Sequence, residues 1–407
     1  MLKKTLSISL VVLLIAGVVG AFSIAQEKVT LTLIHPWAGA EEELFKPVVA
    51  AAEEALGIEI ETKIIRSEDL ITLLPTQWAA GTAPGDVIFL TVPPLIRKGA
   101  AEGHILEVTD VIDPAEFVLG TVDLVTVDGK IYGAPYTSKV KPGFWYRKSF
   151  FEEHGLAEPT NWAELEALLE ELKGIEGLKA PIASGDGVGW PLSDTAEHFL
   201  VAFGGPELHR ELAGCVCFPK WWSIIKAIFN DVLAPWIAAG YFSEPIEWTT
   251  ALEMWWRGDF ALYFMGSWIT GMVDDPEDLG LFPIPGTMGV ARCIDFLFVS
   301  AYTEHPKEAK ALLKWLATEG QKIQVTTGGH IATYIPVPLD LYPPVDRMVA
   351  EKVAPMVSLF DLDDAIGGEF QTTFWDQLKL LWVEPERVDE VVDVIHEAYD
   401  RACGCGS

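Results

Sequence analysis

The sequence predicts an α/β protein of two domains, and three observations carry that prediction. At 407 residues the chain exceeds the size at which a single hydrophobic core keeps growing. Half of its residues are hydrophobic and 15 are tryptophan, which supplies core material for both domains and excludes a disordered chain. Its opening elements alternate strand, helix, strand, the pattern of β-α-β units on a mostly parallel sheet.

The chain starts with an address. Lys3 and Lys4, the apolar run 6–19 and Ser23-Ile24-Ala25 form the three regions of a secretory signal over residues 1–25, with cleavage expected after Ala25. Because 6–24 is nearly long enough to span a bilayer, retention as an N-terminal anchor is the alternative. Later apolar runs are each broken by charge, Gly or Pro, so no further span is expected. Residues 1–25 carry two lysines and no acid, so 27 basic face 59 acidic residues in the remainder, a net of −32. That charge repels nucleic acid and anionic lipid and reads as an evenly solvated acidic surface.

Residues 29–34 (VTLTLI) alternate as a first strand, 41–56 carry apolar residues at helical spacing, and 58–65 alternate again. Residues 70–80 follow as helix, 81–85 as a Gly- and Pro-containing turn, and 86–90 (DVIFL) as a buried strand. Asp128-Gly129-Lys130 turns between strands 125–127 and 131–135, and Thr160 or Asn161 is an N-cap for the next helix. Residues 197–240 read as helices whose Trp221 and Trp222 are core or interlobe packing. Residues 295–299 form a strand, 306–319 an amphipathic helix, and the terminal helices start near Thr373. Of the five cysteines, Cys215-x-Cys217 and Cys403-x-Cys405 are candidates for bridging to one another. Neither spacing is that of a zinc ribbon or redox motif.

Residues 257–286 combine several jobs. A buried-looking run, 260–265, meets a small-residue break at Gly266-Ser267, which delivers Trp268. An acidic turn then leads to Pro283-Ile284-Pro285-Gly286. Small residues at a strand end let backbone approach a ligand, an indole offers a flat face and one donor, and the proline run favours an extended crossing. The reading is a ligand-stacking residue just before a hinge.

The pattern G-x-x-A-L-x-F-M-G-S-W over 258–268, with P-x-P-G behind it, resembles the extracellular solute-binding proteins of ABC importers, the family of maltose-binding protein. DGKIYGAP at 128–135, WYRKSFFEEHGL at 145–156, the helix start at 158–165 and the 306–316 pattern resemble further hallmarks of that family in the same order. G-W-P-x-x-D at 189–194, with SKVKPGFWY at 138–146, looks most like its α-glucoside-binding branch. Phe374-Trp375 resembles a ligand-facing aromatic pair near the family's C-terminal end.

The resemblance implies an α/β, two-lobed periplasmic-binding-protein fold of type II with a hinge of three crossing segments, near 122, 284 and 330. Residues 26–122 plus 285–329 would form the N-terminal lobe, and 123–284 plus 330–407 the C-terminal lobe. It also implies an exported, monomeric protein, in the periplasm or on the outer face of the cytoplasmic membrane. Such a protein captures a sugar by hinge closure and delivers it to a membrane permease, with no cofactor and no nucleic-acid partner.

A sugar requires flat aromatic faces for its C–H side and polar groups for its hydroxyls. Trp268, Trp375, Trp190, Trp37 and Tyr136 are the aromatic candidates, each at a strand end or loop that the resemblance places at the cleft. Asp194, Glu369 and Asp376 are the polar candidates, and Gly266 is the close-approach residue. For each of them ordinary core or surface placement is the plain alternative. Hydrolase and metalloprotease motifs are absent. Asp361-Leu362-Asp363-Asp364 begins like a calcium loop, but Ile366 and Thr372 stand where its Gly and Glu belong, so no metal is expected. Asp274, Asp275 and Glu277 read as a solvated turn. Two other readings are a binding protein for a non-sugar solute such as a polyol and a secreted glycoside hydrolase, which would need turnover.

Overall fold

The computed structural model describes residues 28–405, so the signal expected over 1–25 lies outside the described residues. In the first body, β1 (Thr30–His35) pairs in parallel with β2 (Glu59–Ile64) and β3 (Val87–Leu90). Helices Ala40–Leu56 and Ser67–Ala79 provide the crossovers. β4 (Ala134–Val140) belongs to the same seven-stranded sheet.

The chain then passes through Lys141-Pro142 into a four-stranded sheet of order β8-β5-β7-β6. Its strands are β5 (Gly143–Arg147), β6 (Ala180–Ala183), β7 (Phe260–Met265) and β8 (Leu279–Phe282). It returns through 283–288 to β9 (Gly289–Val299), whose eleven residues pair with β4 and β3. β10 (Ile331–Ala332) adds to β4. Helix Pro344–Val353 puts Val345 and Val349 into the second body's core beside Trp145 and Leu281. Finally β11 (Val357–Phe360) returns to pair with the start of β9, and Asp361 leads into the terminal helices.

The chain thus crosses between two α/β lobes in three places, 141–142, 283–288 and 342–361, the last doubling back through helix Pro344–Val353 and β11, and two of the three differ from the sequence expectation. The first lies at Lys141-Pro142 and not near 122, because β4, beyond the Asp128-Gly129 turn, hydrogen-bonds to β9 of the first sheet. The third comes after 330, because Ile331 and Ala332 still pair with Ser138 and Thr137. The first two passages run in contact: Gly143 takes φ +139, and a Cβ there would run into Phe282 and Pro283 backbone, so only glycine fits.

Each lobe has its own core. Leu31, Leu33, Phe45, Val87, Phe89 and Leu312 fill one side of the first sheet, while Phe144, Leu165, Phe199, Leu262 and Leu378 fill the second lobe. Trp222 stacks on His396 and Trp221 is packed against the second lobe's core, as surface-side packing and not as ligand platforms. The two C-x-C pairs do bridge, Cys215 to Cys403 and Cys217 to Cys405, and Cys293 remains a buried thiol. Among the described residues no helix is long and apolar enough to cross a membrane.

Candidate functional site: a cleft between the lobes

A cleft of about 800 Å³, its open mouth included, runs between the two lobes. The second lobe contributes Trp190, Trp248, Trp268 and Trp375, and the first lobe Trp37, Glu41, Arg66, Glu68, Lys139 and Asp295. Strand alternation explains the two lysines, since 139 and 141 fall on one face of the chain leaving β4, and both reach the cleft.

The small-residue break after β7 sets Trp268. Its ring lies where a Cβ on Gly266 would have to stand, and it meets Trp190 edge to face at 5.4 Å between centroids. Trp190 in turn tilts against Trp248 at 5.5 Å. The Lys139 ammonium sits 5.8 Å from the Trp268 ring and 5.6 Å from Trp37, so a cation is shared by aromatic faces of both lobes. Asp295 is 3.6 Å from that ammonium. Burial works against the lysine's charge, but Asp295 and Glu41 outweigh it and hold Lys139 above its ordinary pKa. Burial raises the carboxyls of Asp295, Glu41 and Glu68, each partly offset by a neighbouring cation.

The cleft floor is acidic. Asp361, Asp363 and Asp364 line it together with Lys141 and Gln371. Lys141 bonds both Asp194 and Asp361, and the Trp375 indole N–H donates to Asp363. Burial pushes Asp361 up to about 7 and raises Asp363 and Asp364, with their acidic neighbours adding to the shift. Several polar atoms of the wall have no hydrogen-bond partner: the indole nitrogens of Trp37 and Trp248, and the oxygens Asp295 Oδ1, Asp361 Oδ1 and Gln371 Oε1.

Of the residues singled out from sequence, Trp268, Trp375, Trp190 and Trp37 line this cleft. Gly266 seats Trp268. The other four stand elsewhere. Tyr136 is fully buried behind Trp37, its hydroxyl donating to Gln324 at 3.1 Å. Asp194 is buried beneath the wall as a partner of Lys141. Glu369 is exposed and paired with Arg401 at 2.9 Å, and Asp376 is exposed beside Lys379. The last two misplacements share a cause: helix Gly368–Val383 buries Phe370, Gln371, Phe374 and Trp375, which puts 369 and 376 on its outer face. Gln371, four residues before Trp375, lies on the same buried face of the helix. Lys139 lies within the 138–146 motif but was not singled out there, and Glu41, Arg66, Glu68, Asp295 and Trp248 carry no motif.

The chain matches the family model described as bacterial extracellular solute-binding protein over residues 38–323. It is 53% identical over 380 residues to an ABC transporter extracellular-binding protein of Pyrococcus horikoshii, covering 92% of this chain and 90% of that protein. It is 34% identical over 184 residues to the alpha-glucosides-binding periplasmic protein AglE of Rhizobium meliloti, covering 42% of this chain and 40% of that protein. In fold it is similar to a chitin oligosaccharide binding protein, with a TM-score of 0.79 at 22% identity, covering 93% of this chain and 99% of the other. This chain belongs to the family of extracellular solute-binding proteins that serve ABC transporters.

Proposed function

We propose that the solute is a sugar of mono- or short oligosaccharide size, with α-glucosides as the first candidates, held on Trp268, Trp190 and Trp375 between the lobes. The observation that carries this reading is the pairing of indole faces with unpartnered donors and acceptors among the residues that line the cleft from both lobes. Trp37 and Trp248 offer N–H groups, while Asp295, Asp361 and Gln371 offer bare oxygens. A hydroxyl both donates and accepts, so a polyhydroxylated ring satisfies both sets, whereas an apolar solute leaves them unpaired. The AglE relative supports α-glucosides within that class.

Binding works by closure. The solute touches Trp37 and Lys139 of one lobe and Trp268 and Trp375 of the other only when the lobes meet, so it shifts the population toward the closed form that the permease engages. The lobes move about the passages at 141–142, 283–288 and 342–361. The protein acts as an exported monomer, in the periplasm or on the outer face of the membrane, and makes or breaks no bond in its solute.

Thermal-shift and tryptophan-fluorescence titrations against a panel of sugars, polyols and amino acids test this. An α-linked glucoside is expected to raise the midpoint and perturb the indole emission. A response confined to polyols or amino acids would sink the sugar reading, and product accumulating beyond one equivalent would sink the binding-only reading.

A further inference from the structure

The Asp361-Leu362-Asp363-Asp364 run lacks the glycine and glutamate of a calcium loop, and the fold completes it from elsewhere. Ligating oxygens of Asp361, Asp363 and Asp364 lie within 4.8 Å of one another. These residues are 2%, 2% and 8% exposed, and all three line the cleft. Their cationic compensation is incomplete: Lys141 divides its ammonium between Asp361 and Asp194. Among the described residues Asp363 receives only neutral donors, from Ser193, Trp375 and the Asp364 backbone.

Gln371 adds an observation independent of the acids. It is 1% exposed, its Nε2 donates to Asp364 Oδ1 at 2.9 Å, and its Oε1 has no partner. Asp361 Oδ1 is bare as well. Three buried carboxylates within 4.8 Å of one another, with a buried amide held against one of them and its oxygen left without a partner, offer the kind of donor set that a hard cation takes.

We infer that Asp361, Asp363, Asp364 and Gln371 form a cation subsite on the cleft floor that takes a divalent ion of the calcium type. Calcium accepts about 6–8 oxygen ligands, so four protein groups leave positions for water or for hydroxyls of the solute. The ion also supplies the positive charge that Lys141 alone does not. The same oxygens could instead serve solute hydroxyls directly, and that reading requires no ion. Both readings draw on Asp361 and Gln371, and they are tested separately because the ion can be titrated without any solute.

The experiment uses the full chain stripped of metal with a chelator and titrated with terbium(III) under tryptophan excitation. Trp375, bonded to Asp363, is placed to sensitise a bound ion. A saturable emission displaced by calcium is expected, along with a calcium-dependent rise in the thermal midpoint. Asp364→Asn should weaken both by roughly tenfold or more, and Gln371→Met, which removes an oxygen without touching a charge, should do the same. Asp376→Asn, an exposed carboxylate on the same helix, should leave both unchanged. Asp364→Asn removes one of three crowded buried acids, so its ion-free midpoint should not fall below that of the unmodified protein. Absence of saturable emission, or equal affinity in both cleft variants, would overturn the inference. Failure of every sugar in the panel would leave it standing.

Discussion

Gly266 and Trp268 act as one unit. The indole occupies the space that a side chain on residue 266 would need, so Gly266→Ala should tip the ring out of the cleft while removing no hydrogen-bonding group. Solute affinity is expected to drop by about tenfold, or about 1.4 kcal/mol, in calorimetric titration, with the circular dichroism spectrum unchanged. Equal affinity would remove Trp268 from the binding surface. Trp268→Ala is a blunter probe than it looks from sequence. At 6% exposure and packed with Trp145, Ile269 and Leu281, the indole is also core, and its truncation costs roughly 3–5 kcal/mol of stability. A weak-binding Trp268→Ala protein therefore mixes a lost contact with a loosened wall.

At the scale of elements, the C-terminal helix Val388–Cys403 shows how a surface-facing element is held. Val391, Val392, Ile395 and Tyr399 bury its apolar stripe, and its end is stapled by the two bridges to Cys215 and Cys217. Each bridge joins residues 188 apart in sequence. In the chain-entropy account, the first bridge removes the freedom of that long loop, and the second then closes only a short ring. Losing one should therefore cost clearly less than losing both. The expected penalties are about 2 kcal/mol for Cys215→Ser with Cys403→Ser, and at least about 5 kcal/mol for removal of all four sulfurs. Denaturant unfolding of the two variants checks this, and equal costs would mean that the bridges act independently of chain connectivity.

For the whole molecule, one buried network touches all three passages. Lys141 comes from the first and Asp361 from the last, and His198 accepts from the Ala291 N–H just beyond the second at 3.4 Å. Glu197 accepts from the Leu362 N–H at 2.9 Å and pairs with His209. Burial lowers His198 to about 3 and His209 to about 4, so both are neutral, and it raises Glu197 and Asp361 to about 7. Carboxyls raised in this way contribute stability that is full below their unfolded pKa values, near 4, and is lost as pH rises through 7. Lys141→Met strips the one ammonium bonded to Asp194 and Asp361 among the described residues and raises these groups further. A loss of roughly 3–5 kcal/mol is expected, larger at about pH 8 than at about pH 5. Adding Asp194→Asn and Asp361→Asn should restore most of it. A pH-independent loss, or no rescue, would show that the network is held by packing and not by charge.

The sequence by itself determined what depends on neighbours along the chain. The β-α-β opening, the Gly266-Ser267 break that presents Trp268, the proline run that leads from β8 to β9, and four of the five cleft tryptophans were legible, because strand period, turn chemistry and local motifs are written within a few residues. The tertiary structure alone decided which charged groups matter. Lys139 acts through Trp37 and Trp268, which lie 231 residues apart, and Lys141 through Asp194 and Asp361, so their surroundings have no local signature. The same reason displaced Asp194 and Tyr136 from the wall and moved the first passage from 122 to Lys141-Pro142. That passage was fixed by the pairing of β4 with β9, a strand more than 150 residues downstream. A side chain's type is local, but its burial, partner and charge state are set by whatever the other lobe brings against it.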